Sequence, residues 1–173
     1  MANVVLVVDM VRGFLEEGYN LYCGPDARTI IPEVQNLVEK ELANGSTLFY
    51  ICDTHEPDDL EFQMFPVHCI KGTVESEVIP ELREYPGERI DKQRYSGFYG
   101  TDLENRLAQI KPEKVIICGV CTDICVMHTA ADARNRDYPV EIAMSTVATF
   151  NQEASKWVFN HMGQILGVTV LPK

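Results

Sequence analysis

The sequence predicts an α/β fold: a three-layer, Rossmann-like domain built on a central, mostly parallel six-stranded sheet. Three observations predict it. Short apolar runs too uniform for half-exposed strands recur along the chain, as in strands buried on both faces. Segments with helical spacing separate them, so strand and helix alternate, the pattern of parallel strands joined by crossover helices. Several runs stop at a charged or reactive residue, and the carboxyl ends of strands are where open α/β sheets gather their ligands.

The chain has 173 residues, enough for one domain spanning 1–173 with a full core. Its formal net charge of −11 speaks against nucleic acid or an anionic membrane as partner and leaves a small neutral or cationic molecule. No apolar run approaches the length of a membrane span. The opening Met-Ala-Asn-Val-Val-Leu-Val-Val-Asp has no basic region and ends its apolar run in an acid, so it reads as a first strand rather than a signal peptide. The six cysteines show no small-scaffold spacing, which together with the absent export signal predicts free thiols in a reducing cytoplasm.

Asn3 to Val8 is the first buried strand, and it ends in Asp9, either a site carboxylate or the cap of the following turn. A loop carries Phe14 and continues from Gly18 to Pro25. Arg28 to Leu42 is an amphipathic helix stopped by Asn44-Gly45. Ser46 to Cys52 is the second strand, followed by Asp53-Thr54-His55. In extended chain Asp53 and His55 point to one face and can reach one ion. Glu61 and His68 follow, completing a mixed oxygen and nitrogen set suited to Zn, Mn or Fe. A rival set, Cys52, His55, His68 and Cys69, would make a structural zinc site, although Cys52 should face away from Asp53.

Thr73 to Leu82 reads as a short helix broken at Pro80. Glu88 to Lys92 is the third strand, and by pattern alone Lys92 is an ordinary solvated lysine. Thr101 caps a helix through Ile110, and Lys114 to Cys118 is the fourth strand. A tight turn follows, with Thr122 as N-cap of a helix that runs through Arg134. Cys125 falls three residues into that helix, where the positive helix end favours thiolate and lowers the thiol pKa. Free N–H groups there could hold an oxyanion. The plain alternative is a small apolar cysteine packed against the sheet. Pro139 to Met144 is the fifth strand, Gln152 to Leu166 a helix with Trp157 and Phe159 on or near its packing face, and Gly167 to Leu171 the sixth strand.

Gly119-Val120-Cys121-Thr122-Asp123-Ile124-Cys125-Val126 resembles the nucleophile turn G-V-x-T-D-x-C-V of the isochorismatase-like cysteine hydrolases. The likeness extends over nearly the whole chain. It implies Asp9, Lys92 and Cys125 as a catalytic triad, a cis bond between Val120 and Cys121, and an oxyanion hole from the N–H groups of Cys121 and Cys125. Asp53-x-His55 and Pro66-x-His68-Cys69 resemble the ligand motifs of the nicotinamidase/pyrazinamidase branch, with Glu61 where members carry glutamate or histidine. That branch implies one divalent metal ion, Zn or alternatively Mn or Fe, held by Asp53, His55, Glu61 and His68. Phe14 and Phe65 match its aromatic pair around a pyridine ring. The implied activity is conversion of nicotinamide, or a close analogue, to the acid and ammonia through a cysteine thioester, in NAD salvage. A homo-oligomer is expected. The alternatives are a cysteine amidase for small carbamoyl or ureido amides and a catalytically inactive metal-binding module. The opening Asp9-Met10-Val11-Arg12-Gly13-Phe14 departs from the usual D-x-Q-N-D-F, and Arg12 brings a cation toward the pocket, where it would meet a polar or anionic substrate.

Overall fold

The computed structural model describes residues 2–173, so Met1 of the predicted domain lies outside the described residues. Its centre is a seven-stranded sheet: β1 (Val4–Val8), β2 (Thr47–Asp53), β3 (Glu88–Lys92), β4 (Val115–Val120), β5 (Val140–Ala143), β6 (Val147–Ala148) and β7 (Thr169–Leu171). The order is β3-β2-β1-β4-β5-β7, with β6 paired to β4, and every pairing is parallel. The predicted count of six omits β6, which at two residues is too short to leave a hydrophobic pattern.

Two single turns, α1 (Arg12–Leu15) and α2 (Pro25–Arg28), follow β1, and alternate residues of the central strands feed two apolar layers. Val5, Val7, Leu48, Tyr50, Ile116 and Cys118 pack with Val34 and Val38 of α3 (Ile31–Ala43) on one face. Val4, Leu6, Phe49, Ile51 and Ile117 pack on the other face with α4 (Leu103–Ile110), α5 (Met127–Arg134) and α6 (Gln152–Gln164). Coverage on both faces is why these strands read as unbroken apolar runs.

The helix expected over Arg28–Leu42 is split. One turn covers Pro25–Arg28, and α3 begins at Ile31 because Pro32, lacking an N–H, fits only the first turn of a helix. Gly45, at φ 80°, ends it as expected. The helix expected at Thr73–Leu82 is absent: a single 3₁₀ turn spans Val74–Ser76, and the chain then runs to Ile79, whose N–H donates to Met10 O. Burial of Ile79 and Leu82 produced the helix-like spacing. On α6 the packing face is Val158 and Met162 with Phe159 half-buried, whereas Trp157 is exposed and stacks on His161. Among the described residues, no helix is long and apolar enough to cross a membrane.

Candidate active site

Four strand ends meet at one edge of the sheet. Register places Val8 beside Ile51 and Gly119, and Asp53 beside Lys92. Asp9 follows β1 in a left-handed conformation, φ 52°, which is uncommon for a non-glycine residue although aspartate tolerates it better than most. Its N–H donates to Ile51 O, and its Oδ1 accepts from Asp53 N at 2.8 Å. Gly119 has no alternative: at φ 113° a Cβ there would lie 2.0 Å from Val8 O. The Val120–Cys121 peptide bond is cis.

The chain then makes one π-helical turn, Thr122–Val126, that leads into α5. Cys121, not Thr122, is the residue before the turn, and no side chain caps it; Thr122 Oγ1 is buried without a hydrogen-bond partner. Cys121 O instead accepts from both Ile124 N and Val126 N.

Lys92 is the hub. Its ammonium is fully buried, 2.9 Å from Asp9 Oδ2, 2.9 Å from Asp53 Oδ1 and 3.5 Å from Cys125 Sγ. Burial opposes its charge, but Asp53 and Asp9 together more than offset that and hold its pKa well above the usual lysine value. Burial pushes the Asp9 carboxyl up to about 6 against the pull of Lys92, with Asp53 adding to the rise. The Cys125 thiol is also raised well above its ordinary value, by burial first and then by the charge of Asp9. This reverses the expectation that the helix end lowers it: a partial dipole charge is outweighed by desolvation and a neighbouring carboxylate. Such a thiol needs a base, and the Asp9 carboxylate, ion-paired with Lys92 at 2.9 Å, is its hydrogen-bond partner.

Asp53 faces two ways. While Oδ1 holds Lys92, Oδ2 lies 2.9 Å from His55 Nε2 and 3.1 Å from His68 Nε2. Ligand atoms of Asp53, His55 and His68 all lie within 4.8 Å of one another. The second nitrogen of each imidazole already has an oxygen partner: Asp59 Oδ2 at 2.9 Å from His55 Nδ1, and Pro66 O at 2.7 Å from His68 Nδ1. That is the arrangement that orients metal-ligating histidines, so these residues fit a divalent ion. Glu61 Oε1, 3.9 Å from His68 Nε2, stands beside the cluster and not inside it. Cys52 and Cys69 are buried in an apolar layer and do not join the Asp53–His55–His68 cluster, so the rival Cys/His zinc set does not form among the described residues.

Both groups open on one cavity. Asp9, Phe14, Asp53, Glu61, Phe65, His68, Cys121 and Cys125 line it, and buried Lys92 and His55 stand behind them. Arg12 does not reach it: the guanidinium is held by Glu16 at 2.9 Å and Glu77 at 3.7 Å. Sequence reasoning missed Asp59, which also takes Arg94 and the N–H of Glu61, and the wall residues Leu21, Ile124 and Phe150. Four-residue spacing from His55 was the only hint of Asp59.

The model of the isochorismatase domain matches residues 3–171, and the chain belongs to that family. Several of its relatives and structural neighbours are nicotinamidases or pyrazinamidases. An uncharacterized isochorismatase family protein, PncA, of Bacillus subtilis is 33% identical over 98% of this chain and 99% of its own length. The pyrazinamidase/nicotinamidase of Streptococcus mutans superposes with a TM-score of 0.92 at 32% identity, covering 98% of this chain and 100% of that one. The Pyrococcus horikoshii pyrazinamidase, solved in complex with zinc, gives 0.91 at 29% identity, with both chains fully covered. Other relatives are a probable inactive nicotinamidase of Arabidopsis thaliana, 31% identical over 85% of this chain and 80% of its own, and an N-carbamoylsarcosine amidase of Arthrobacter, 27% identical over 83% and 58%.

Proposed function

We propose that this chain is a cysteine amidohydrolase that converts nicotinamide or a close aromatic analogue to the acid and ammonia. The observation that carries the reading is the opening of an Asp9–Lys92–Cys125 set and an Asp53–His55–His68 cluster into one aromatic-walled cavity. Asp9 takes the Cys125 proton while Lys92 balances the charge of carboxylate and sulfur. The sulfur attacks the amide carbonyl, and the oxyanion meets the backbone N–H groups of Cys121 and Cys125. Asp9 returns the proton to the leaving ammonia, and water, deprotonated by Asp9, hydrolyses the thioester. A divalent ion, zinc in this reading, would be held by Asp53, His55 and His68 with Glu61 beside them, and would supply a Lewis acid for a ring nitrogen of the substrate.

The carbamoyl or ureido alternative meets an electrostatic objection. N-carbamoyl amino acids and ureidoacrylates carry a carboxylate. Among the described residues, no lysine or arginine lines the cavity, and Lys92 is committed to two carboxylates. The side chains lining the cavity therefore offer such a carboxylate no cation, and only a bound ion would.

Ammonia release from four amides tests the assignment. Nicotinamide should exceed benzamide, which lacks the ring nitrogen, and benzamide should exceed an aliphatic amide of equal size. Stacking on Phe14 and Phe65 contributes roughly 0.5–1.5 kcal/mol per aromatic contact, about tenfold for two. An N-carbamoyl amino acid as best substrate would overturn the reading in favour of the ureido class. No release from any of them would favour the inactive module.

The metal part has its own test. Asp59→Asn keeps the shape but weakens the hold on His55 Nδ1, so zinc affinity should fall about 10- to 100-fold. Turnover should drop at limiting zinc and recover with excess. Unchanged affinity in a competitive chelator titration would mean that His55 is not a ligand.

A further inference from the structure

Phe150 is the most exposed apolar side chain lining the cavity, at 54%, whereas Phe14 is 9% exposed. The floor of the cavity is buried Asp9, Asp53, His68 and Cys125, so Phe150 stands at its mouth. Its backbone is held on both sides. Pairing of β6 with β4 sets Val147 beside Gly119 and Ala148 beside Val120, which carries the following residues to the nucleophile turn. Buried Thr149 then donates its hydroxyl to Asp123 Oδ1 at 2.6 Å, within that turn. Asn151 donates its N–H to Thr149 Oγ1, and its side chain caps α6 by accepting from Ala154 N. A ring carried between two anchored residues, half in water and facing a cavity walled by Phe14, Phe65 and Tyr95, has apolar surface that a ligand in the cavity would cover.

We propose that Phe150 is the outer wall of the substrate site: its ring closes over the solvent-facing edge of a bound aromatic amide and limits the ring substituents admitted. The proposal rests on the aromatic-amide reading above, and goes beyond it by assigning the size limit to one residue of the β6–α6 connection. Because Phe150 touches the ring and not the scissile amide, its loss should act on binding. Removing its half-buried face should raise KM for nicotinamide about five- to tenfold and leave kcat within twofold. The discrimination between nicotinamide and its ring-methylated derivatives should shrink, because the wall that excludes the methyl group is gone.

The test is steady-state kinetics of wild type, Phe150→Ala and Phe150→Tyr on nicotinamide and a set of ring-methylated nicotinamides. Calorimetric binding of nicotinamide to Cys125→Ala, with and without Phe150→Ala, runs beside it. Phe150→Tyr retains the wall and should keep the wild-type KM. A KM and a methyl selectivity that Phe150→Ala leaves unchanged would overturn the proposal while the amidase reading stands. Equal loss of kcat on every amide, or a change of mass in solution on Phe150→Ala, would overturn it in favour of a structural or interface role. If wild type fails to turn nicotinamide over but Cys125→Ala binds it in a Phe150-dependent way, the amidase reading fails and the wall remains. Absence of both turnover and binding would remove both.

Discussion

Cys125→Ala is expected to lower kcat/KM on the preferred amide by roughly 10⁴-fold or more, the scale on which nucleophile deletions act. Nothing else in the cavity can replace the sulfur. Cys121, the other lining thiol, has its Sγ 3.5 Å from Cys23 and does not contact Lys92. Stability should change little, because alanine removes one small group from a site already bounded by a cavity, a loss of about 1 kcal/mol. Cys118→Ala is the control for thiol loss as such, since Cys118, on β4, is fully buried in an apolar layer and does not line the cavity. It should keep turnover within a few-fold. A Cys125→Ala protein with more than a hundredth of wild-type activity would show that the sulfur is not the nucleophile.

What could be read from the sequence follows the range of the forces involved. The parallel sheet was legible because burial on both faces writes itself into every residue of β1, β2 and β4. Asp53 and His55 were legible as a pair because two-residue spacing in extended chain is a local fact. His68 was legible only as a further histidine completing a mixed ligand set, and the triad role of Lys92 came only through family resemblance: a solvated lysine and one with no exposed side-chain surface look alike in sequence. The Cys125 thiol shows the limit most clearly. Its local setting, the start of a helix, argued for a lowered pKa. Burial and Asp9, which arrives from β1, decided the direction the other way. Asp59 and Phe150 were invisible for the same reason, since their roles come from what the fold brings to them.

Lys92→Met should be nearly as damaging to turnover as loss of the nucleophile, with a stability cost that Cys125→Ala lacks. Methionine approximates the length of the lysine stem and removes only the charge. In the native site one ammonium serves two buried carboxylates, Asp9 and Asp53, each at 2.9 Å. Breaking a buried pair by removing one partner costs about 3–5 kcal/mol, which for a chain of this size lowers Tm by about 10 °C. The two carboxylates would not suffer equally. Asp53 keeps His55 and His68 against its other oxygen, and so keeps the set that would hold the ion. Asp9 keeps only the N–H of Asp53 and the thiol side of the site. Without its cation, Asp9 is driven to the protonated form and can no longer accept the Cys125 proton. Zinc content should therefore survive in Lys92→Met, since a repelling charge has gone and the ligands remain, while turnover falls by roughly 10³-fold or more. That combination, metal retained and chemistry lost, is the reverse of the Asp59→Asn pattern, where excess zinc restores the rate. Should Lys92→Met keep a tenth of wild-type kcat/KM, Asp9 does not depend on the lysine to act as base, and the three-residue assignment falls.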